Sequence, residues 1–327
     1  MSLSIKHHIL FNIVFLNIIL ASVSMAQDAE FTQFYANPLY LNPAFAGTNK
    51  CPRMAINYRN QWAGLPATFI TTSASYDQYV PTLSGGLGIM VVSDKEAKTL
   101  STTRVSGIYS YQLQINRKFS VRGGLEATFF QKSLDWSKLT FGDMIDTRRG
   151  FVFDSGDVPR GGTRTGMDFS IGAIGFSEKF FFGFAAHHLT QPNESLIKGD
   201  SKLPIKLTVH AGAVIPLSGS SSKYKKDEGS TISPNLMFRK QGTTNQLNMG
   251  VYMTKGPLVG GIWYRNSDAF ILLVGIHAKK IKIGYSFDAT VSKLSLASGG
   301  AHEISLNYTF KCKKKKKTFR SLTCPEF

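Results

Sequence analysis

From Met54 to Phe310 the sequence alternates between apolar and polar side chains. Successive residues of a β-strand face opposite ways, whereas a helix repeats about every 3.6 residues, so the pattern predicts strands with one apolar face each. The last segment shows it plainly: Ile304, Leu306, Tyr308 and Phe310 alternate with Glu303, Ser305, Asn307 and Thr309. Before it, Ile281, Ile283, Tyr285 and Phe287 oppose Lys282, Gly284, Ser286 and Asp288. Met54, Ile56 and Tyr58 stand against Asn57 and Arg59, and Ile205, Leu207 and Val209 against Lys206, Thr208 and His210.

Dividing the sequence at its turn signals predicts about fourteen strands: 53–62, 67–77, 84–93, 101–113, 117–131, 164–176, 179–188, 204–216, 231–240, 244–254, 257–265, 269–278, 280–290 and 302–310. The number is even, as single-chain bacterial barrels require. Tight turns at Asn116-Arg117, Ser177-Glu178, Lys255-Gly256 and Lys279-Lys280 alternate with long connections at 132–163 and 189–203. With both termini in the periplasm, these tight turns fall on the periplasmic side and both long loops face outside. The Ser-, Lys- and Gly-rich segment 217–230 is a long periplasmic exception.

The start of the chain points to export. Lys6, His7 and His8 precede an apolar run, Ile9 to Leu20, followed by Ala21-Ser22-Val23-Ser24-Met25-Ala26. This is the layout of a secretory signal peptide, with Ser24 and Ala26 at the small-residue positions, and it predicts a mature chain beginning at Gln27. No later apolar stretch approaches the roughly 20 residues of a spanning helix. A membrane resident of this kind crosses as a closed barrel, whose backbone groups pair between strands. A secreted β-sandwich or propeller also has short alternating strands. Strand lengths near the crossing length, aromatic residues near strand ends and a terminal strand finishing on Phe310 favour a transmembrane antiparallel outer-membrane β-barrel. The organisation expected is a signal peptide (1–26), an N-terminal periplasmic segment or plug (27–52), the barrel (53–310) and a basic periplasmic tail (311–327).

The formal charge of +17 would suit nucleic acid, but export excludes that partner. Part of the excess is local, in Lys311, Lys313–Lys317 and Arg320. Such a run is either a solvated tail or an attractor for anionic surfaces. Arg59, Arg104, Arg122, Glu126, Lys206, His210, Arg239, Arg265, Lys282 and Asp288 lie opposite the apolar faces, so they point into the lumen, either paired to fill it or lining a selective pore. Asn37-Pro38-Leu39-Tyr40-Leu41-Asn42-Pro43 reads as an ordered turn before the first strand, since X-Pro steps favour extended or turn backbone and Asn bonds locally. It serves as a plug, a periplasmic docking element or a segment closing the barrel base.

The chemistry of catalysis is not signalled. His187 and His188 are adjacent and, on a strand, face opposite ways. There is no His-Glu-x-x-His, Gly-x-Ser-x-Gly or phosphate-binding loop; no cofactor and no metal is expected. Asp143, Asp146, Asp154 and Asp157 are calcium-type donors, but their spacing is not that of an EF-hand, and a solvated loop touching a partner or lipopolysaccharide is the better reading. Gly85-Gly86 and Gly123-Gly124 fall inside strands, where small residues relieve crowding or permit bends. Cys51 precedes the first strand and Cys312 follows the last. In a closed barrel those ends are neighbours, which predicts a periplasmic disulfide from Cys51 to Cys312 or Cys324, against three free thiols.

Several segments carry a resemblance in order along the chain: Gln33-Phe34-Tyr35, Asn37-Pro38-Leu39-Tyr40-Leu41-Asn42-Pro43-Ala44-Phe45-Ala46-Gly47, Tyr58-Arg59-Asn60-Gln61-Trp62, Phe141-Gly142-Asp143-Met144-Ile145-Asp146, Thr190-Gln191-Pro192, Gly261-Ile262-Trp263-Tyr264-Arg265 and His302-Glu303-Ile304-Ser305-Leu306. The chain resembles the PorP/SprF family of outer-membrane proteins in type IX secretion and gliding motility of Bacteroidota. The resemblance implies a component that anchors or assists export of a secreted surface protein. The implied partners are periplasmic lipoprotein and ring components, a large adhesin or its C-terminal domain, and outer-membrane lipid; a porin-like channel is the alternative. It also implies a partner-binding or structural role for Asn37, Pro38, Asn42, Pro43, Gly47, Tyr58, Arg59, Trp62, Gly142 and Asp143. The Lys-rich, Cys-containing tail departs from the family pattern.

Overall fold

A computed structural model describes residues 28–312 apart from 50, 66, 140–143, 147, 152–161, 197–199, 218–229, 267 and 292–298. The described residues form fourteen long strands: β1 (Arg53–Gln61), β2 (Phe69–Val80), β3 (Gly85–Glu96), β4 (Leu100–Gln114), β5 (Ser120–Leu134), β6 (Thr163–Phe176), β7 (Phe180–His187), β8 (Lys206–Ala213), β9 (Thr231–Gln241), β10 (Thr244–Lys255), β11 (Leu258–Arg265), β12 (Ala269–Ala278), β13 (Ile281–Thr290) and β14 (Ala301–Thr309). Each pairs antiparallel with its neighbours, and β1 closes on β14 from Arg53↔Thr309 to Gln61↔Ala301. The result is a closed barrel with no free edge.

Its faces are inverted relative to a water-soluble protein. Outward-facing Leu125, Leu258, Ile262 and Val274 are each at least 60% exposed, while Arg59, Arg122, Asp288 and Glu303 inside are at most 2% exposed. A contiguous apolar belt of this extent is stable against hydrocarbon, not water. No helix among the described residues is long and apolar enough to cross a membrane; the apolar belt is carried by the strands.

Strand boundaries shift from the sequence expectation where alternation lapses. β3 runs to Glu96 instead of stopping at Ser93, because Asp94, Lys95 and Glu96 still pair with Thr102, Ser101 and Leu100. The ladder is a backbone property and continues past the apolar belt. β8 is shorter than 204–216: it stops at Ala213, and Ile215–Pro216 pairs separately with Ile232 and Thr231. Gly150–Phe151 and Ile145–Asp146 form a small ladder of their own in the 135–162 connection.

The two ends of the barrel differ. One, the termini end, carries Arg53, Thr309 and the short connections after β2, β4, β6, β10 and β12, together with the longer one between Pro216 and Thr231. The other, the loop end, carries the connections 135–162 and 188–205.

The lumen is occupied. Residues 28–49 run through it as a 3-10 turn (Phe34–Ala36), one helical turn (Pro38–Leu41) and a second 3-10 turn (Pro43–Phe45). Proline opens the last two, where its missing N–H costs nothing. Asn42 caps the third, its Oδ1 accepting from the Ala44 N–H at 2.9 Å. Phe34, Leu39, Leu41, Ala44 and Phe45 form one apolar cluster with inward-facing Met90, Val92, Ile108, Ile174, Phe181 and Trp263. Thus β3 is apolar on both faces: Leu87, Ile89 and Val91 face outward, and Met90 and Val92 face the internal segment. Each fully buried aliphatic side chain contributes about 1.5–3 kcal/mol, so the segment has its own hydrophobic seat inside the barrel.

Candidate functional site

The site is the internal segment and the lumen wall that holds it, in three layers. At the loop end Asp28 meets a cluster of cations. Arg104 Nη2 lies 3.4 Å from its Oδ1, His188 Nε2 is 2.7 Å from its Oδ2, and Lys206 Nζ contacts the same oxygen. His188 is held on its other side by Asp168 at 2.6 Å. Glu30 accepts from Arg239 Nη1 at 2.9 Å and from Gln246 Nε2 at 2.8 Å. Burial pushes the Asp28 carboxyl up, but His188, Lys206 and Arg104 outweigh it and hold it well below the usual range. For Glu30, burial is likewise outweighed by Arg239 and Arg265, which bring it down to about 2. Burial lowers His188, and the Asp28 and Asp168 carboxylates more than reverse that, leaving it raised.

The second layer is a buried network around Thr32. Arg59 donates to Asp288 at 2.9 Å and reaches Glu303 at 3.4 Å, while Arg265 reaches Asp288 at 3.3 Å. The Thr32 hydroxyl donates to Asp288 at 2.8 Å, and the backbone N–H groups of Thr32 and Gln33 donate to Glu303 at 2.6 and 3.0 Å. Carboxylates at this depth are stable only when paired and hydrogen-bonded. The internal segment supplies part of what they need.

The third layer fixes the backbone near the termini end. Asn42 Nδ2 donates to the Ala173 and Phe184 carbonyls at 3.2 and 3.0 Å, and Asn37 Nδ2 to Ser73 Oγ at 2.7 Å. The Ala46 carbonyl accepts from Ser110 Oγ and Arg122 Nη1 at 2.6 and 3.0 Å; the Gly47 N–H donates to Asp77 at 2.8 Å. Here glycine has a specific use. A Cβ on Gly124 would lie 2.7 Å from Ala44 Cα, and one on Gly86 2.6 Å from Gly47 N. Both strand glycines let the segment's backbone rest on the wall.

Of the residues singled out from the sequence, Asn37, Pro38, Asn42, Pro43 and Gly47 all lie in this internal segment, and Arg59 is in the Thr32 network. Tyr58 instead faces outward, 40% exposed. Trp62 follows β1 at the loop end, its N–H donating to the Gly300 carbonyl at 2.8 Å and its ring 5.1 Å edge-on from Phe69. Gly142 and Asp143 lie outside the described residues, as do Asp154, Asp157 and Cys324. The Asp146 carboxylate accepts from the Arg148 and Arg149 N–H groups at 2.8 Å, closing its own turn. Cys51 and Cys312 are joined as a disulfide with Cα atoms 4.8 Å apart. All ten ionisable residues expected to point inward do so: Arg104 and Lys282 are partly buried and the other eight buried.

One geometric expectation is corrected. His187 and His188 do not face opposite ways: β7 ends at His187, and His188 takes φ +60°, which turns it into the lumen beside its neighbour. Both are 6% exposed, with ring centroids 6.4 Å apart. Among the described residues no group of three or more His, Cys, Asp or Glu is placed to hold a metal ion. The sequence reading missed Asp28, Glu30 and Thr32. A signal was available, since Asp28 and Glu30 are the only acids in 27–52 and the lumen-facing set is rich in cations.

Solved structures similar to the chain include the Acinetobacter baumannii outer membrane protein Omp33 (11% identity, 81% of this chain and 100% of that chain, TM-score 0.45). Others are the Ralstonia pickettii toluene transporter TbuX (11% identity, 87% and 96%, TM-score 0.47) and a Pseudomonas aeruginosa FadL homologue (12% identity, 83% and 93%, TM-score 0.42). No curated protein matches the sequence. A family model described as type IX secretion system membrane protein PorP/SprF matches residues 23–308.

Proposed function

Because the chain belongs to the PorP/SprF family of type IX secretion system membrane proteins, we propose that it is an outer-membrane scaffold that anchors or assists export of a secreted surface protein. The observation that carries this reading is the filled lumen. A diffusion pore keeps a water-filled path, whereas here residues 28–49 occupy the interior and are bonded to the wall in all three layers. The role left for such a barrel is to present its two ends to partners. In this reading the termini end faces the periplasm, where short turns are usual, and meets lipoprotein and ring components of the secretion system. The loop end faces outside and meets the exported adhesin or its C-terminal domain. The internal segment, with Asn37, Pro38, Asn42, Pro43 and Gly47, acts as a plug, and residues 1–26 serve as the cleaved signal.

Affinity purification of the tagged protein from outer membranes tests the proposal: periplasmic secretion components and a large surface protein are expected to co-purify, and deletion of the gene is expected to remove that protein from the cell surface. Recovery of the barrel alone, with surface display intact, would overturn it. A selective channel is the second reading, favoured by a cleft of about 100 Å³ at the termini end beside Tyr35, Phe45, Tyr252 and Lys282. Planar-bilayer recording separates the two, since a plugged scaffold passes little current.

A further inference from the structure

Fourteen strands return the chain to the end at which it entered, so Arg53 and Thr309 are partners in one register. The internal segment changes this for the N-terminal flank. From Cys51 at the termini end it passes Gly47 against Asp77, Asn42 against Ala173 and Phe184, and Thr32 against Glu303 and Asp288. It then reaches Glu30 against Arg239 and Asp28 against Lys206 and Gln241. These last partners sit where β8 begins and β9 ends, at the loop end. The segment therefore crosses the whole barrel.

We infer that the folded chain presents its two flanks on opposite faces of the membrane despite the even number of strands, with Asp28 at the loop mouth and Cys312 at the termini end. Two observations carry it. Asp28, Ala29 and Glu30 are only partly buried where Phe31 to Phe34 are buried, and a cleft of about 20 Å³, room for about one water, lies beside Asp28 and Glu30 next to the Gly242–Thr243 hairpin. The way back is closed: Phe31, Phe34 and Leu39 are at most 3% exposed, and the cleft at the termini end reaches no higher along the segment than Gln33. A second pass of backbone would have to displace the Thr32, Arg59 and Glu303 network.

One consequence concerns the order of maturation. A leader still held at the inner membrane would tether the segment on the termini side, so removal of the leader has to precede filling of the lumen. The order of maturation, and the naming of the loop mouth as the cell exterior, rest on the cleaved leader and the orientation proposed above; the threading of the segment does not.

The test uses the full-length protein in its own outer membrane, with an epitope tag placed between Ala26 and Gln27, in the Gly242–Thr243 hairpin, or in the Lys279–Lys280 turn. The N-terminal tag is expected to behave as the hairpin tag does, both binding antibody on intact cells, with the Lys279–Lys280 tag silent until permeabilisation. Should the hairpin and turn tags exchange behaviour, the orientation fails, while an N-terminal tag that still follows the hairpin upholds the inference. An N-terminal tag that follows the Lys279–Lys280 tag in a heat-modifiable, folded barrel overturns it. If the N-terminal tag prevents folding, the untagged Glu30→Cys, Gln246→Cys pair replaces it: a short bis-maleimide is expected to join the two, and a folded barrel without that cross-link overturns the inference. A Gln27→Pro chain, blocked in cleavage, is expected to yield no heat-modifiable form; once the hairpin and turn tags have fixed the orientation, a folded barrel retaining its leader would also overturn the inference.

Discussion

Replacing Gly124 and Gly86 by alanine separates the internal segment from the barrel that encloses it. Each added methyl group points inward onto the backbone of the segment, at Pro43 and Ala44 for Gly124 and at Ala46 and Gly47 for Gly86. The strand ladder itself has no objection to alanine, so the conflict falls on the docked segment. Overpacking of this kind costs about 1–3 kcal/mol per site, or about 2–6 kcal/mol for the pair if the sites act independently. With a factor of ten for each 1.4 kcal/mol or so, the balance between docked and undocked segment should shift by about 30-fold to about 10⁴-fold. Gly123→Ala and Gly107→Ala are the controls: a Cβ at either meets nothing within 4 Å. Planar-bilayer recording of the purified barrels reads the result. Gly86→Ala and Gly124→Ala should open more often than the parent and the double variant most, all with unchanged heat-modifiable migration, while both controls match the parent. If Gly124→Ala behaves as its neighbour Gly123→Ala does, the glycines are not a seat for the segment and the reasoning is wrong.

Three further outcomes are expected. Arg59→Met leaves Asp288 and Glu303 buried without their shared cation and should cost about 3–5 kcal/mol, seen as a lower urea midpoint of the folded barrel in detergent; adding Glu303→Gln should recover part of it. For pH, the Glu30 carboxylate is depressed to about 2 from an ordinary 4.5, so its stabilisation is complete above that ordinary value and lost as pH falls through the depressed one. His188 is raised above 6.5, so its stabilisation is complete below 6.5 and lost as pH rises through the folded value. Channel recordings across pH should therefore show the segment loosening at both extremes, with Glu30→Gln weakening the acid limb that it shares with Asp28 and a pH-independent record refuting the role of these pairs in holding the segment. Finally, non-reducing peptide mapping should recover Cys51 linked to Cys312, and Cys51→Ser should lower the unfolding midpoint by about 2–5 kcal/mol in stability.

Within each strand, the sequence alone was enough for what depends on strand period and chain order; it failed at His188, where the strand has already ended. Alternation assigns Ile281, Ile283 and Tyr285 to one face and Lys282, Gly284 and Ser286 to the other whatever the neighbours are, because successive side chains of a strand point opposite ways. Closure places the flanks of the first and last strands side by side, which is why the proximity of Cys51 and Cys312 could be anticipated across 261 residues. The inward set from Arg59 to Asp288 follows from the same rule. What the tertiary structure decided is how those inward residues meet. Asp28 lies 178 positions from Lys206 and 160 from His188, and their encounter depends on the stagger of strands around the barrel, which fixes the depth each side chain reaches. The same stagger brings Gly86 and Gly124 under the Asn42 to Gly47 backbone. Local signals showed that Asn37-Pro38 and Asn42-Pro43 turn; only the enclosed space showed that the turns lie inside, and that the segment crosses from one face of the barrel to the other.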